Sequence, residues 1–143
     1  MFKWKVVANL TSSLGYDASC LGNHEFDDGV ADLEAYSHAI TDSYPLLACN
    51  LDISAVQNLN GTIQPYILRD IGNRRVAIIG YVTPETKDIS DSGKVVFIDE
   101  VVSLRKAVKE VQDKGANIII ALGHSGYERD LEIAEQVRSA KMN

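Results

Sequence analysis

Asn117-Ile118-Ile119-Ile120-Ala121-Leu122, followed at once by Gly123-His124-Ser125-Gly126, is the stretch whose reading sets the fold. A continuous apolar run rich in β-branched residues reads as an interior strand, buried on both sides in a sheet that helices cover. On its N-terminal side, Val101, Leu104, Val108 and Val111 recur at helical spacing, and Gly115 closes that helix. A short strand at Val95 to Ile98 comes before it. Further back, two β-rich runs between Tyr66 and Tyr81 flank Gly72-Asn73, a pair that tolerates positive φ, so a hairpin is expected with Val76 to Val82 as a central strand.

Toward the start of the chain, Pro45 to Leu51 reads as a buried strand, and Val30, Leu33, Tyr36 and Ile40 mark a helix over 29–41. Ala18 to Leu21 reads as a short strand. Val6, Val7, Leu10 and Leu14 predict an opening helix that stops near Gly15, and a last helix is expected from about Glu128. Alternating strands and helices of this kind define an α/β layered domain with helices on the faces of a mixed, mostly parallel sheet, to which the hairpin adds an antiparallel element. There are no repeats and no linker.

Composition is consistent with one folded domain: 143 residues, 45% apolar and 24% charged. The net charge of −6, with both signs interspersed, leaves no basic stripe for a phosphate backbone, which argues against nucleic acid as a partner. No apolar run approaches the length of a transmembrane segment. Met1-Phe2-Lys3-Trp4-Lys5 carries no signal-peptide pattern. Asn9-Leu10-Thr11 and Asn60-Gly61-Thr62 fit the glycosylation sequon, which suits an extracellular surface but arises readily by chance. Cys20 and Cys49 lie in apolar segments and read as small buried hydrophobes, with no disulfide indicated.

Ligands of α/β sheets sit at the carboxyl ends of strands. Two loops there are chemically rich: Gly22-Asn23-His24-Glu25-Phe26-Asp27-Asp28-Gly29 and Gly123-His124-Ser125-Gly126-Tyr127-Glu128-Arg129-Asp130. In each, a glycine lets the backbone turn sharply and approach a ligand. An imidazole nitrogen and an amide oxygen suit zinc or a similar ion. Position alone leaves a histidine after a strand more often a loop or capping residue than a ligand. His38, inside the helix over 29–41, is assigned no role, and Glu25, Asp28 and the Glu128-Arg129-Asp130 cluster read as solvated or helix-entry charges.

Gly22-Asn23-His24-Glu25-Phe26-Asp27 resembles the GNHEFD signature of the 5'-nucleotidase branch of the calcineurin-like metallophosphoesterases. Ile119-Ile120-Ala121-Leu122-Gly123-His124-Ser125-Gly126-Tyr127 extends the match. Tyr16-Asp17-Ala18, Gly80-Tyr81-Val82-Thr83-Pro84-Glu85-Thr86 and the sequence around Val137 are similar to the animal ecto-5'-nucleotidase and secreted apyrase group. The resemblance implies two divalent metal ions, zinc by preference, that hold a phosphate ester and activate water. It implies that Asn23 and His124 are ligands of one metal, and that His24 is no ligand but faces the phosphate, with Asp27 accepting its other N–H.

The same resemblance implies a nucleotide substrate, AMP or another nucleoside phosphate, an extracellular or cell-surface location, and a homodimer for the full-length protein. The family's upstream Asp-x-His pair, bridging aspartate and downstream Gly-His loop have no counterpart here. The expectation is therefore that residues 1–143 form part of an N-terminal metallophosphoesterase domain, without the C-terminal nucleotide-binding domain, and are inactive alone. An apyrase acting on di- and triphosphates shares this core, as do cyclic-nucleotide phosphodiesterases. A noncatalytic secreted nucleotide-binding protein is the alternative of a different class.

Overall fold

The computed structural model describes residues 3–139, so the readings made at Met1-Phe2 and at Asn143 fall outside it. The elements in chain order are α1 (Lys3–Ser12), β1 (Ser19–Cys20), α2 (Val30–Ile40), β2 (Leu46–Leu47), β3 (Leu51–Asp52), β4 (Ile63–Gln64), β5 (Tyr66–Ile71), β6 (Arg74–Val82), α3 (Thr86–Ile89), β7 (Val96–Phe97), α4 (Glu100–Asp113), β8 (Ile118–His124) and α5 (Tyr127–Ser139). A single 3₁₀ turn, Asn23–Phe26, lies between β1 and α2.

The strands form three sheets: β1-β2-β4 with parallel pairings, the antiparallel pair β3-β7, and β5-β6-β8. In the third, β5 and β6 form the expected hairpin, with Gly72 at φ 60 in the turn that places Ile71 opposite Arg74. β8 then runs parallel to β6 in a register that sets Val82 opposite His124. That register brings the carboxyl ends of β6 and β8 to one level, and β1 packs against both.

Two apolar cores hold these layers. One gathers Leu21, Phe26, Leu33, Ile40, Leu46 and Val82 around α2 and the first sheet. The other packs Ala77 and Ile79 of β6 against Val101, Leu104 and Val111 of α4 and Ile133 of α5. α4 is well delimited: the Asp99 carboxylate accepts the Val102 N–H at 2.9 Å at its start. At its end Gly115, at φ 86, lets the Ala116 N–H return to the Val111 carbonyl at 2.9 Å.

Asn50 ties the end of β6 to the residue that follows β7. It is fully buried, its Nδ2 donates to the carbonyls of Val82 (2.7 Å) and Ile98 (3.0 Å), and its Oδ1 accepts the Val82 N–H at 3.1 Å. Replacing it with leucine would leave the two buried backbone groups of Val82 and the partly buried carbonyl of Ile98 without this partner. Asn50→Leu is expected to cost about 3 kcal/mol, read as a lower urea midpoint with an unchanged slope.

Two expectations change in detail. β8 is not sandwiched on both sides: it stands at the edge of its sheet, and Ile118 and Ile120 are 42% and 46% exposed. Its opposite face, Ile119, Ala121 and Gly123, borders an apolar groove of about 590 Å³ walled by α4 and α5. A run that is apolar on both faces carries no information about which strand, if any, lies on its second edge. Of the residues that set the first helical spacing, Leu10 in α1 and Leu14 in the turn after it point away from the core, 63% and 62% exposed. Contact with the body is made instead by Trp4, by the smaller Ala8 and by Thr11, whose Oγ1 accepts from the Tyr44 hydroxyl at 2.6 Å. Small residues let the helices approach closely.

The two cysteines are free thiols. Burial raises both, Cys49 to about 12, which leaves neither as a nucleophile near neutral pH. Among the described residues no helix is long and apolar enough to cross a membrane.

Candidate active site

Gly22 lies two residues past the end of β1 and opens the 3₁₀ turn. Its N–H donates to the Glu25 carboxylate at 2.7 Å, which folds the loop back on itself. A Cβ on Gly22 would stand 3.1 Å from His124 Nδ1 and 3.1 Å from Glu25 Oε2. The glycine is thus needed for the close approach of the His124 ring, which comes from the end of β8. There, His124 Nε2 lies 3.0 Å from Asn23 Oδ1, a contact between residues 101 apart in the chain.

His24 has a different partner. Its side chain is 78% exposed, and its Nδ1 donates to Asp27 Oδ2 at 2.7 Å. The hydrogen bond to Asp27, with the carboxylate's charge behind it, raises the His24 pKa above its ordinary value, while the same bond lowers that of Asp27. The raised His24 pKa favours folding below the ordinary imidazole value, and the effect fades as pH rises through the shifted pKa. The lowered Asp27 pKa favours folding above the ordinary carboxylate value and fades as pH falls through the shifted one. The ion pair is complete between those limits. Asp27→Asn is expected to bring the His24 ring titration, followed by NMR, back toward that of an ordinary imidazole.

The four residues singled out in the sequence therefore fall into two adjacent pairs at the carboxyl edge, Asn23 with His124 and His24 with Asp27. Two donors 3.0 Å apart are close enough to be neighbouring ligands of one ion, at about a right angle for bonds of about 2.1 Å. The donor types, amide oxygen and imidazole nitrogen, also suit such an ion. Among the described residues there is no group of three or more His, Cys, Asp or Glu side chains placed to hold a metal, so Asn23 and His124 can supply only part of a coordination sphere.

Charges read as solvated have definite partners here. Glu25 closes the Gly22 loop. Arg129 binds Glu100, which is nearly fully buried, at 2.9 Å, and also Asp99 and Glu132. Asp130 accepts the Tyr81 hydroxyl at 2.8 Å, and Tyr81 lies so close under Gly123 that a Cβ there would overlap its ring. Burial, helped by Asp130, raises the Tyr81 pKa. These contacts fix the start of α5 and hence the loop that carries His124. Helix-entry charges with distant partners leave no local pattern, although a glycine at the end of a strand was a usable signal for Gly123. His38 takes no part in the site: it is exposed on α2, with Nε2 3.1 Å from the Asn58 carbonyl.

No protein-family model matches the chain. Its fold is similar to that of a calcineurin-like phosphoesterase, YfkN of Bacillus subtilis, with a TM-score of 0.65 and 26% identity over 85% of this chain and 38% of that one. The class of fold is thus the calcineurin-like phosphoesterase. The likeness is greater to a 5'-nucleotidase precursor from Thermus thermophilus, with a TM-score of 0.85 and 38% identity, covering 92% of this chain and 26% of that one. In sequence, the chain is 43% identical to the snake venom 5'-nucleotidase of Gloydius brevicauda over 96% of its own length and 24% of the relative's. The chain belongs to the 5'-nucleotidase family, and it spans about a quarter of the length of the curated relatives it matches.

Proposed function

We propose that the chain contributes part of the two-metal site of a hydrolase that cleaves the phosphate ester of nucleoside 5'-monophosphates, AMP to adenosine, in a longer protein. The observation that carries this reading is the meeting of Asn23 Oδ1 and His124 Nε2 at 3.0 Å beside the hydrogen-bonded His24–Asp27 pair. In this reading residues 1–143 are a portion of the N-terminal metallophosphoesterase domain, and recognition of the base falls to residues outside it. When bound, two divalent ions, zinc in the first instance, neutralise phosphoryl charge and activate water.

Asn23 and His124 would hold one of these ions. His24, whose charged form Asp27 favours and whose ring is oriented through its Nδ1–H, leaves Nε2 free to donate a proton to the phosphoryl group or to the departing ribose oxygen. Asp27 does not take part in the transfer. It holds the ring and favours the charged form. An extracellular or cell-surface location is part of the proposal, in line with a venom relative.

The test is phosphate release by the complete protein from AMP, ADP and ATP with zinc, comparing wild type with His124→Ala. Release from AMP that collapses in the variant supports the nucleotidase reading. Preference for ATP and ADP would replace it with an apyrase, and nucleotide binding without release would remove catalysis from the account.

A further inference from the structure

Beyond Val82 the chain leaves β6 and crosses in front of both site loops. At the first residue of this crossing, the Thr83 N–H donates to the carbonyl of His124 at 2.9 Å. At the last, Ser90 Oγ donates to the carbonyl of Asn23 at 2.9 Å and lies 3.3 Å from Asp27 Oδ1. The stretch between is internally tied. Thr86 is fully buried, its Oγ1 donates to the Thr83 carbonyl at 2.7 Å, and the Ser90 N–H donates to the Thr86 carbonyl at 3.0 Å. Asn50 fixes the point of departure by holding both backbone groups of Val82.

We propose that Thr83–Ser90 is a strap that sets the separation of Asn23 and His124, and that Ser90 is a positioning residue coupling that pair to His24–Asp27. The inference rests on the reading of Asn23 and His124 as ligands of one ion, and adds to it the element that keeps them in register. Ser90 stands at the C-terminal end of α3, where its backbone N–H closes the helix on the Thr86 carbonyl and leaves the hydroxyl to other use. Its side chain bonds a residue 67 positions earlier. Its single hydroxyl proton goes to the Asn23 carbonyl by the shorter contact, with Asp27 Oδ1 at the longer arm of a three-centre arrangement. Since Asp27 uses Oδ2 for His24, one hydroxyl reaches both pairs. Ser90 is partly exposed, so its loss admits water without emptying a core site.

The test compares the 143-residue chain with Ser90→Ala and Ser90→Thr. The Gly22 and Asp27 N–H groups close the loop through Glu25 Oε2 and the His24 carbonyl. Their hydrogen exchange is expected to quicken about fivefold to tenfold in Ser90→Ala, with Ala77 and Ile79 in the interior of β6 unchanged, and to return to the wild-type rate in Ser90→Thr. Titrated Mn²⁺, followed by broadening of the His124 ring signals, is expected to require several times more metal in Ser90→Ala than in the other two. Loop exchange unaltered in Ser90→Ala, or no better in Ser90→Thr than in Ser90→Ala, overturns the strap, as does equal Mn²⁺ broadening in all three. Quickened exchange in Ser90→Ala together with no Mn²⁺ effect on wild-type His124 supports the strap and overturns the ion reading instead.

Discussion

Arg129→Met is expected to lower the stability of the chain by about 3 kcal/mol, which for a chain of this size is a fall of about 10 °C in Tm. Glu100 is 2% exposed, and Arg129 Nη2 at 2.9 Å is the charge that faces it. Methionine keeps most of the apolar stem and removes only the guanidinium, so the loss measures a carboxylate left in a dry place rather than a cavity. Arg129→Met combined with Glu100→Gln is expected to recover much of the loss, because the stranded charge is then gone. If the double variant is no better than the single, the cost lies in the exposed contacts to Asp99 and Glu132 instead. The same ion pair anchors α5 a few residues beyond His124, so chemical-shift changes in Arg129→Met should spread to the His124 ring.

His24→Ala has the opposite profile. The ring is exposed and is hydrogen-bonded to Asp27, so the Tm is expected to stay close to that of wild type. In the complete protein, turnover of AMP is expected to fall by about 10² to 10⁴, the usual contribution of a positioned proton donor, with KM changed much less than kcat. Asp27→Asn should lose less than His24→Ala, since the imidazole remains but is held and charged less well. A His24→Ala variant with near wild-type kcat would remove the histidine from the chemistry.

Asn23, His24, Asp27 and His124 were singled out by the resemblance of the two loops to a family motif, and the fold sets Asn23 beside His124 and His24 beside Asp27. The β5–β6 hairpin was readable from Gly72-Asn73, and α4 from its spaced valines and Gly115. The open edge of β8 was not, since Ile118-Ile119-Ile120 has the same pattern whether one strand or two lie beside it. The packing face of α1 was hidden because two of the residues that touch the body, Ala8 and Thr11, are less apolar than Leu10, which is turned to solvent. Ser90 and Arg129 were invisible for a further reason: each acts through a partner tens of residues away, and only the fold brings them together.

The central claim is that Asn23 and His124 are two ligands of one ion in an incomplete site. It is tested most directly by calorimetric titration of the 143-residue chain with zinc, with AMP hydrolysis measured on the same samples, in wild type and His124→Ala. The account predicts weak binding of a single ion, abolished in His124→Ala, and no turnover. Tight binding of two ions with turnover, or binding indifferent to His124, would contradict it.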